Sequence, residues 1–321
     1  MYPRATMETS LPRRYQRWLD GLVGEELPRE RRATCHDCVM CGDRAESEGV
    51  APELRFDAEV KCCSFYPRLP NYLVGAILDD PTTDARFGLA VIRRRVRARE
   101  AATPLGLFVS PAEARRYDQM RGAGAFGRAR DVRCPFLTDE TRCGIWQNRN
   151  GVCATYFCRH DDRAQGHRLW ESVLALVNRI ERALARWCVI ELADARALDE
   201  LFDAEGEGRR LERLELHGAV TDEGVIAPSL AARLWGEWLG REEDFYRACA
   251  AKVDPLDVEA VRAIGGVEVM LGARRVREAA VARGRRSLPR VLCHKVTHAV
   301  AVEGGVALYG SRAPYDPLRV S

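Results

Sequence analysis

Cys134 to His160 reads CPFLTDETRCGIWQNRNGVCATYFCRH and places four cysteines, Cys134, Cys143, Cys153 and Cys158, in one stretch. Their gaps fit neither the period of a helix face nor that of a strand face, so packing of a regular apolar stripe does not explain them. Thiols this dense on irregular backbone point to metal ligation. Upstream stand Cys35, Cys38 and Cys41, then the adjacent pair Cys62 and Cys63. The nine read as one metal-holding module in two pieces, which the fold is expected to bring together.

At 321 residues the chain can bury a core without disulfide staples, so its twelve cysteines are not needed to rescue a small fold. The opening MYPRATMETSLPRRYQRWLDG has no apolar core of signal-peptide length, and no later run approaches the roughly 20 apolar residues of a membrane span. The expectation is a cytoplasmic protein with no membrane partner and reduced thiols. A net charge of +3 gives no global field for nucleic acid. Lysine occurs only at Lys61, Lys252 and Lys295. A GC-rich coding bias explains the arginine excess more simply than a preference for phosphate does.

Taken in order, residues 1–33 read as a loosely held lead-in with one short helix from Leu11 to Leu22. C-x2-C-x2-C at Cys35, Cys38 and Cys41, followed by Gly42, suits a zinc knuckle and equally the opening of a ferredoxin-type run. Of Cys62 and Cys63, either one binds and the other packs, or each serves a different centre. Tyr66-Pro67 and Leu69-Pro70 form an extended connection into a helix over Asn71–Leu78. Asp79, Asp80 and Asp84 read as a solvated turn, and the arginines from Arg93 to Arg99 as a wet face. A helix from Pro111 to Met120 is capped by Ser110. GAGAFG at 122–127 satisfies G-x-G-x-x-G but lacks the strand before it and the helix after it that a nucleotide site needs, so it reads as a flexible loop. From Leu169 an apolar stripe runs at helical spacing through Cys188, which with Cys249 reads as core. The segment 203–224 reads as a linker. Helices are expected over Pro228–Leu239, Glu242–Lys252, Pro255–Ile264 and Val267–Arg283, with Asp254-Pro255 as the cap of the third. RVLCHKVTHAVAVEGGVALYG alternates like a hairpin turning at Gly304-Gly305, and its His294 and His298, about 13 Å apart at strand rise, read as structural.

The central motif carries a resemblance. Cys134-Pro135-Phe136-Leu137, Cys143-Gly144-Ile145-Trp146, Arg149, and Cys153 with Tyr156 resemble the C-P-x-L … C-x-I-Y-x-x-R-P-x-x-C-R-x-F signature of the YkgJ-type cysteine-cluster family, described as zinc- or iron-chelating proteins. Asn150 stands where that family has proline, Ala154 where it has arginine and Trp146 where it has tyrosine; no thiol is lost. The resemblance spans about residues 35–160 and implies a metal centre held by these cysteines, with an insertion separating Cys35, Cys38 and Cys41 from Cys62 and Cys63. Cys63-Ser64-Phe65-Tyr66-Pro67-Arg68 is similar to a cysteine and aromatic-Pro-Arg triplet in a related branch, the flagellin lysine N-methylase. That branch implies an iron–sulfur, S-adenosylmethionine-dependent protein methylase-like enzyme, although its triplet follows the C-x-I segment and here precedes it.

The expected architecture is mainly α with an irregular cysteine-rich metal-binding module and a small C-terminal β-hairpin, an α+β chain. Its parts are a lead-in at 1–33, the cysteine-cluster domain at 34–166, a helical domain at 167–284 and the hairpin segment at 285–321. An all-cysteine donor set fits an iron–sulfur cluster (4Fe-4S) or Zn2+, and the ferredoxin-like opening favours the former. Three functions follow: a redox or electron-transfer protein meeting a redox or protein partner, a zinc-stapled interaction module, and the methylase-like enzyme. A winged-helix arrangement, with Arg274, Arg275, Arg277, Arg283, Arg285 and Arg286 against nucleic acid, is disfavoured by the charge balance.

Overall fold

The computed structural model describes residues 11–24, 26–31, 35, 37–82, 85–193, 218–284, 296–302, 305–310 and 318–320. It is mainly helical, and each helix follows from local signals. Helix α1, Arg13–Val23, puts Tyr15, Trp18, Leu19 and Leu22 on one face at i, i+3, i+4 and i+7, all buried. It stops where Gly24 adopts a left-handed φ of 74° and donates to the Asp20 carbonyl. The loose lead-in is therefore corrected from Arg13 onward. Arginines dominate the segment's composition, yet they sit on the rim and tie it down. Arg14 donates to Asp254 at 2.6 Å and Arg17 to the Asp254 carbonyl at 2.9 Å.

Helix α2, Gly42–Ser47, follows the first cysteine loop, and α3, Asn71–Leu78, coincides with the expected helix. Strands β1 (Leu69–Pro70), β2 (Ala102–Thr103) and β3 (Gly106–Leu107) form a small antiparallel sheet in the order β1-β3-β2. Helix α4, Ala85–Arg97, carries the arginine run. One of these is not on a wet face: Arg95 turns inward, donates to the Phe108 carbonyl at 2.7 Å and meets Glu100 and Glu113. Helix α5, Pro111–Gly122, starts at Ser110 as expected, in a full capping box with Glu113. A short helix α6, Gly151–Thr155, precedes the 30-residue α7, Arg163–Leu192, which begins nearly two turns before its apolar stripe.

Helix α8, Pro228–Trp235, ends in a 3-10 turn that reaches Trp238, and α9, Glu242–Val253, matches its expected span. The two last expected helices are both present and meet at a kink where Gly266 leaves helical geometry at φ 56° and ψ −147°; the pair, Val258–Gly284, is labelled α10. The cap at Asp254-Pro255 is corrected: Asp257 accepts from the Ala260 N–H at 2.8 Å and starts the helix, while Asp254 continues α9. Residues 203–217 of the expected linker, and 285–295, 303–304 and 311–317 of the C-terminal hairpin segment, with Cys293, His294, Arg285, Arg286 and Gly304, lie outside the described residues. Strands Val296–Val302 and Gly305–Gly310 are described as backbone alone.

A single apolar cluster draws on α1, α3, α4, α7, α8, α9 and α10. Its tightest crossing is α3 on α9, where a Cβ at Gly75 would stand 1.9 Å from the Tyr246 carbonyl oxygen. Among the described residues no helix is long and apolar enough to cross a membrane.

Candidate metal centre

The first cysteine loop folds as its spacing dictates. The Cys41 N–H donates to the Cys38 carbonyl at 2.9 Å, and Gly42 then takes φ 51°, the tight turn that C-x2-C-Gly permits. Beneath it Val39, Met40, Ala45, Val50 and Phe56 make a small core of their own. The loop is stitched to the later segments through backbone: Phe56 donates to Met40, Asp57 to Gly127 at 2.8 Å, and Cys134 to Cys63 at 2.7 Å. Lys61 Nζ donates to the carbonyls of Cys35 and Thr141, each at 3.3 Å, and so bridges both pieces of the module.

GAGAFG is the expected loop, with no helix opening behind it, but it is pinned. The Gly127 N–H donates to Ser64 Oγ at 2.7 Å, and a Cβ there would come within 2.3 Å of the Phe56 ring. This holds Phe126 edge-on between Phe56 and Tyr156. The central stretch turns back on itself: Leu137 bridges Cys143, and the Gly144 N–H donates to the Phe136 carbonyl at 2.8 Å. Cys153 rides on α6. That helix is held by Asn150 Oδ1, which accepts from the Cys153 N–H at 3.1 Å, and by Glu181 Oε1, which accepts from the Gly151 N–H at 2.7 Å.

These constraints bring the two pieces together. Cys35, Cys38, Cys62, Cys63, Cys134, Cys143, Cys153 and Cys158 line one cavity of about 420 Å3, walled by Phe65, Phe126, Phe136 and Trp146. Cys41 is the predicted ligand that does not line it; it is hydrogen-bonded to Cys38 instead. All nine thiols are free and half-buried. Among the described residues no three His, Cys, Asp or Glu side chains are grouped so as to hold a metal ion.

Burial and the neighbouring Cys62 push the Cys35 thiol up to about 12, burial raises Cys143 to about 11, and burial likewise pushes Cys134, Cys153 and Cys158 up. The bond from Cys41 brings Cys38 down to about 7. Three cations oppose the burial: Arg149, its guanidinium 3.5 Å over the Trp146 ring, bears on Cys35, Cys143 and Cys153, Lys61 bears on Cys35, Cys38 and Cys41, and Arg159 bears on Cys158. Electrostatically the thiols form two overlapping sets: Cys63 lies among Cys134, Cys143 and Cys153, Cys158 lies among Cys62, Cys38 and Cys35, and Cys143 also feels Cys35 and Cys62.

The remaining candidates are structural. Cys188 and Cys249 are buried in the core, with the Cys188 thiol directed at the Cys249 carbonyl at 3.8 Å. His160 lies 3.8 Å from Glu30, which also accepts from the Trp170 indole at 2.7 Å, and its ring neighbours His167. His36 and Asp84 lie outside the described residues. Asp79 pairs with Arg247 and Asp80 accepts from Asn148 and Thr82. Sequence reasoning did not single out Lys61, Phe126 or Glu181 for the site. For Glu181 a signal existed, a carboxylate in phase with the buried stripe of α7. No family model matches the chain, and neither curated proteins nor solved structures give a match.

Proposed function

We propose that the chain is an iron–sulfur protein with a redox or electron-transfer role. The observation that carries the reading is the convergence of eight cysteines from two distant segments on one cavity of about 420 Å3. A thiol set spread round a space that large suits a multi-atom cluster, which binds its thiolates at separate iron corners, better than one small ion that needs every sulfur at about 2.3 Å. The donor chemistry fits, since an all-thiolate set is what such clusters take. Lys61 and Arg149 supply positive charge where thiolates and a reduced cluster would concentrate negative charge. One set would be Cys63, Cys134, Cys143 and Cys153; the other would be Cys35, Cys38, Cys62 and Cys158, with Cys41 donating to Cys38. When bound, such a group accepts and returns single electrons. The aromatic wall and half-buried thiols keep bulk water from most of it.

Anaerobic purification followed by an optical spectrum and iron, sulfide and zinc analysis tests this. A brown protein absorbing near 400 nm and bleached by dithionite is expected, with about eight irons per chain for two 4Fe-4S clusters and about four for one. Cys134→Ser or Cys153→Ser should lower the iron content. A colourless protein with stoichiometric zinc would overturn the reading. That second outcome, a zinc-stapled module, is favoured by one feature, the knuckle turn at Cys38, Cys41 and Gly42.

A further inference from the structure

The geometry points to a self-association surface: the outward face of α10 beyond its kink takes the same face of a second copy of this chain, the two helices running antiparallel. Of the nine large apolar side chains exposed among the described residues, four sit on this one stretch, Val267, Met270, Leu271 and Val281, each 49–70% exposed. The other side of the helix is already packed. Val269, Ala273 and Val276 are buried, Gly272 lies against Leu176 of α7, and Arg277 donates to the Leu22 carbonyl at 2.7 Å. A helix that meets water on its outer side carries polar residues there, so apolar residues on both sides mark a face that a partner covers.

Spacing and charge identify the partner. Val267, Leu271, Arg274, Glu278 and Val281 recur at steps of four, three, four and three, the seam of a two-helix coil. Arg274 Nε donates to Glu278 Oε1 at 2.8 Å within the helix, and both side chains are exposed. The middle of the seam is thus neutral in each chain, and no lone charge is buried when two seams meet. Parallel pairing would set Arg274 against Arg274 and Glu278 against Glu278. Antiparallel pairing sets Arg274 against Glu278 of the second copy, twice by symmetry, and in that same register Leu271 meets Val281. Sliding one helix by a heptad sets a charge against an apolar residue, so the charged centre fixes register as well as direction. A face that complements itself in one arrangement fits a copy of itself.

Sedimentation equilibrium of the full chain tests it. A monomer–dimer equilibrium is expected, with a dissociation constant on the order of micromolar for so small an interface. Arg274→Glu and Glu278→Arg should each weaken dimerisation at least about tenfold, because like charges then face each other across the seam. Mixed in equal amounts, these two variants should pair with one another, and a chain carrying both exchanges should dimerise like the parent. Leu271→Glu should give a monomer whose circular dichroism and melting temperature match those of the dilute, dissociated parent, since the replaced side chain touches only the second copy. A parent that stays monomeric at roughly a hundredfold above the expected constant, or a dimer indifferent to all of these substitutions, would overturn the surface. So would a dilute Leu271→Glu monomer that melts well below the parent, because the stripe would then be covered from within its own chain.

Discussion

Of the cations that bear on the thiols, Lys61 and Arg149 each reach three, and they do so from different backbones. Lys61 holds a positive φ of 52°, a strained conformation for a side chain with a Cβ, and from there its ammonium reaches the carbonyls of Cys35 and Thr141. Arg149 is fixed by its stack on Trp146 and by a 2.9 Å bond from Nε to the Trp146 carbonyl. Replacing Arg149 by Gln removes a charge that favours the more negative state, so a reductive titration should place the variant's potential below the parent's, with Arg149→Lys largely restoring it. An unchanged potential would separate Arg149 from the proposed cluster. Asn150 illustrates a different role. Its side chain accepts from the Cys153 N–H and donates to the Arg68 carbonyl at 3.0 Å, so Asn150→Ala should cost about 1 kcal/mol in urea unfolding, and Asn150→Asp less.

At the level of elements, the crossing of α3 and α9 sets a sharp test. Exchanging glycine for alanine inside a helix normally stabilises by about 0.5–1 kcal/mol. At Gly75 the added methyl would meet the Tyr246 backbone at 1.9 Å, so the helices must separate and overpacking wins. Gly75→Ala should therefore destabilise by about 1–3 kcal/mol; a variant as stable as the parent would mean the crossing is looser than described. Helix α1 offers the complementary case. Trp18 is wholly buried between α1 and the later helices and donates to the Leu256 carbonyl at 3.3 Å. Trp18→Ala should cost about 3–5 kcal/mol, far more than any substitution in a dangling segment.

On the scale of the whole molecule, the thiol cavity and the main core are built differently. The main cluster joins α1 to α10 and has Cys134, Cys143 and Cys158 packed only against its edge, whereas the small core of Val39, Met40, Ala45, Val50 and Phe56 packs against Cys38, Cys41, Cys62 and Cys158. Stripping bound metal with a strong chelator should accordingly loosen residues 38–62, seen as faster hydrogen exchange there, while α3, α7 and α9 keep their protection. Global loss of helical signal on chelation would mean the metal holds the entire fold. The sequence by itself determined the helices at Asn71–Leu78, Pro111 onward, Glu242 onward and along α7, because capping residues and 3.6-residue apolar periods are local properties. It also marked Cys188 and Cys249 as core, because they sit in phase with buried stripes. Only the tertiary structure decided that α1 belongs to the core, since its arginines find Asp254 some 240 residues away. It alone decided that eight of the nine thiols line one cavity. Spacing along a chain limits what a loop can reach, but which loops meet is settled by the packing of the helices that carry them.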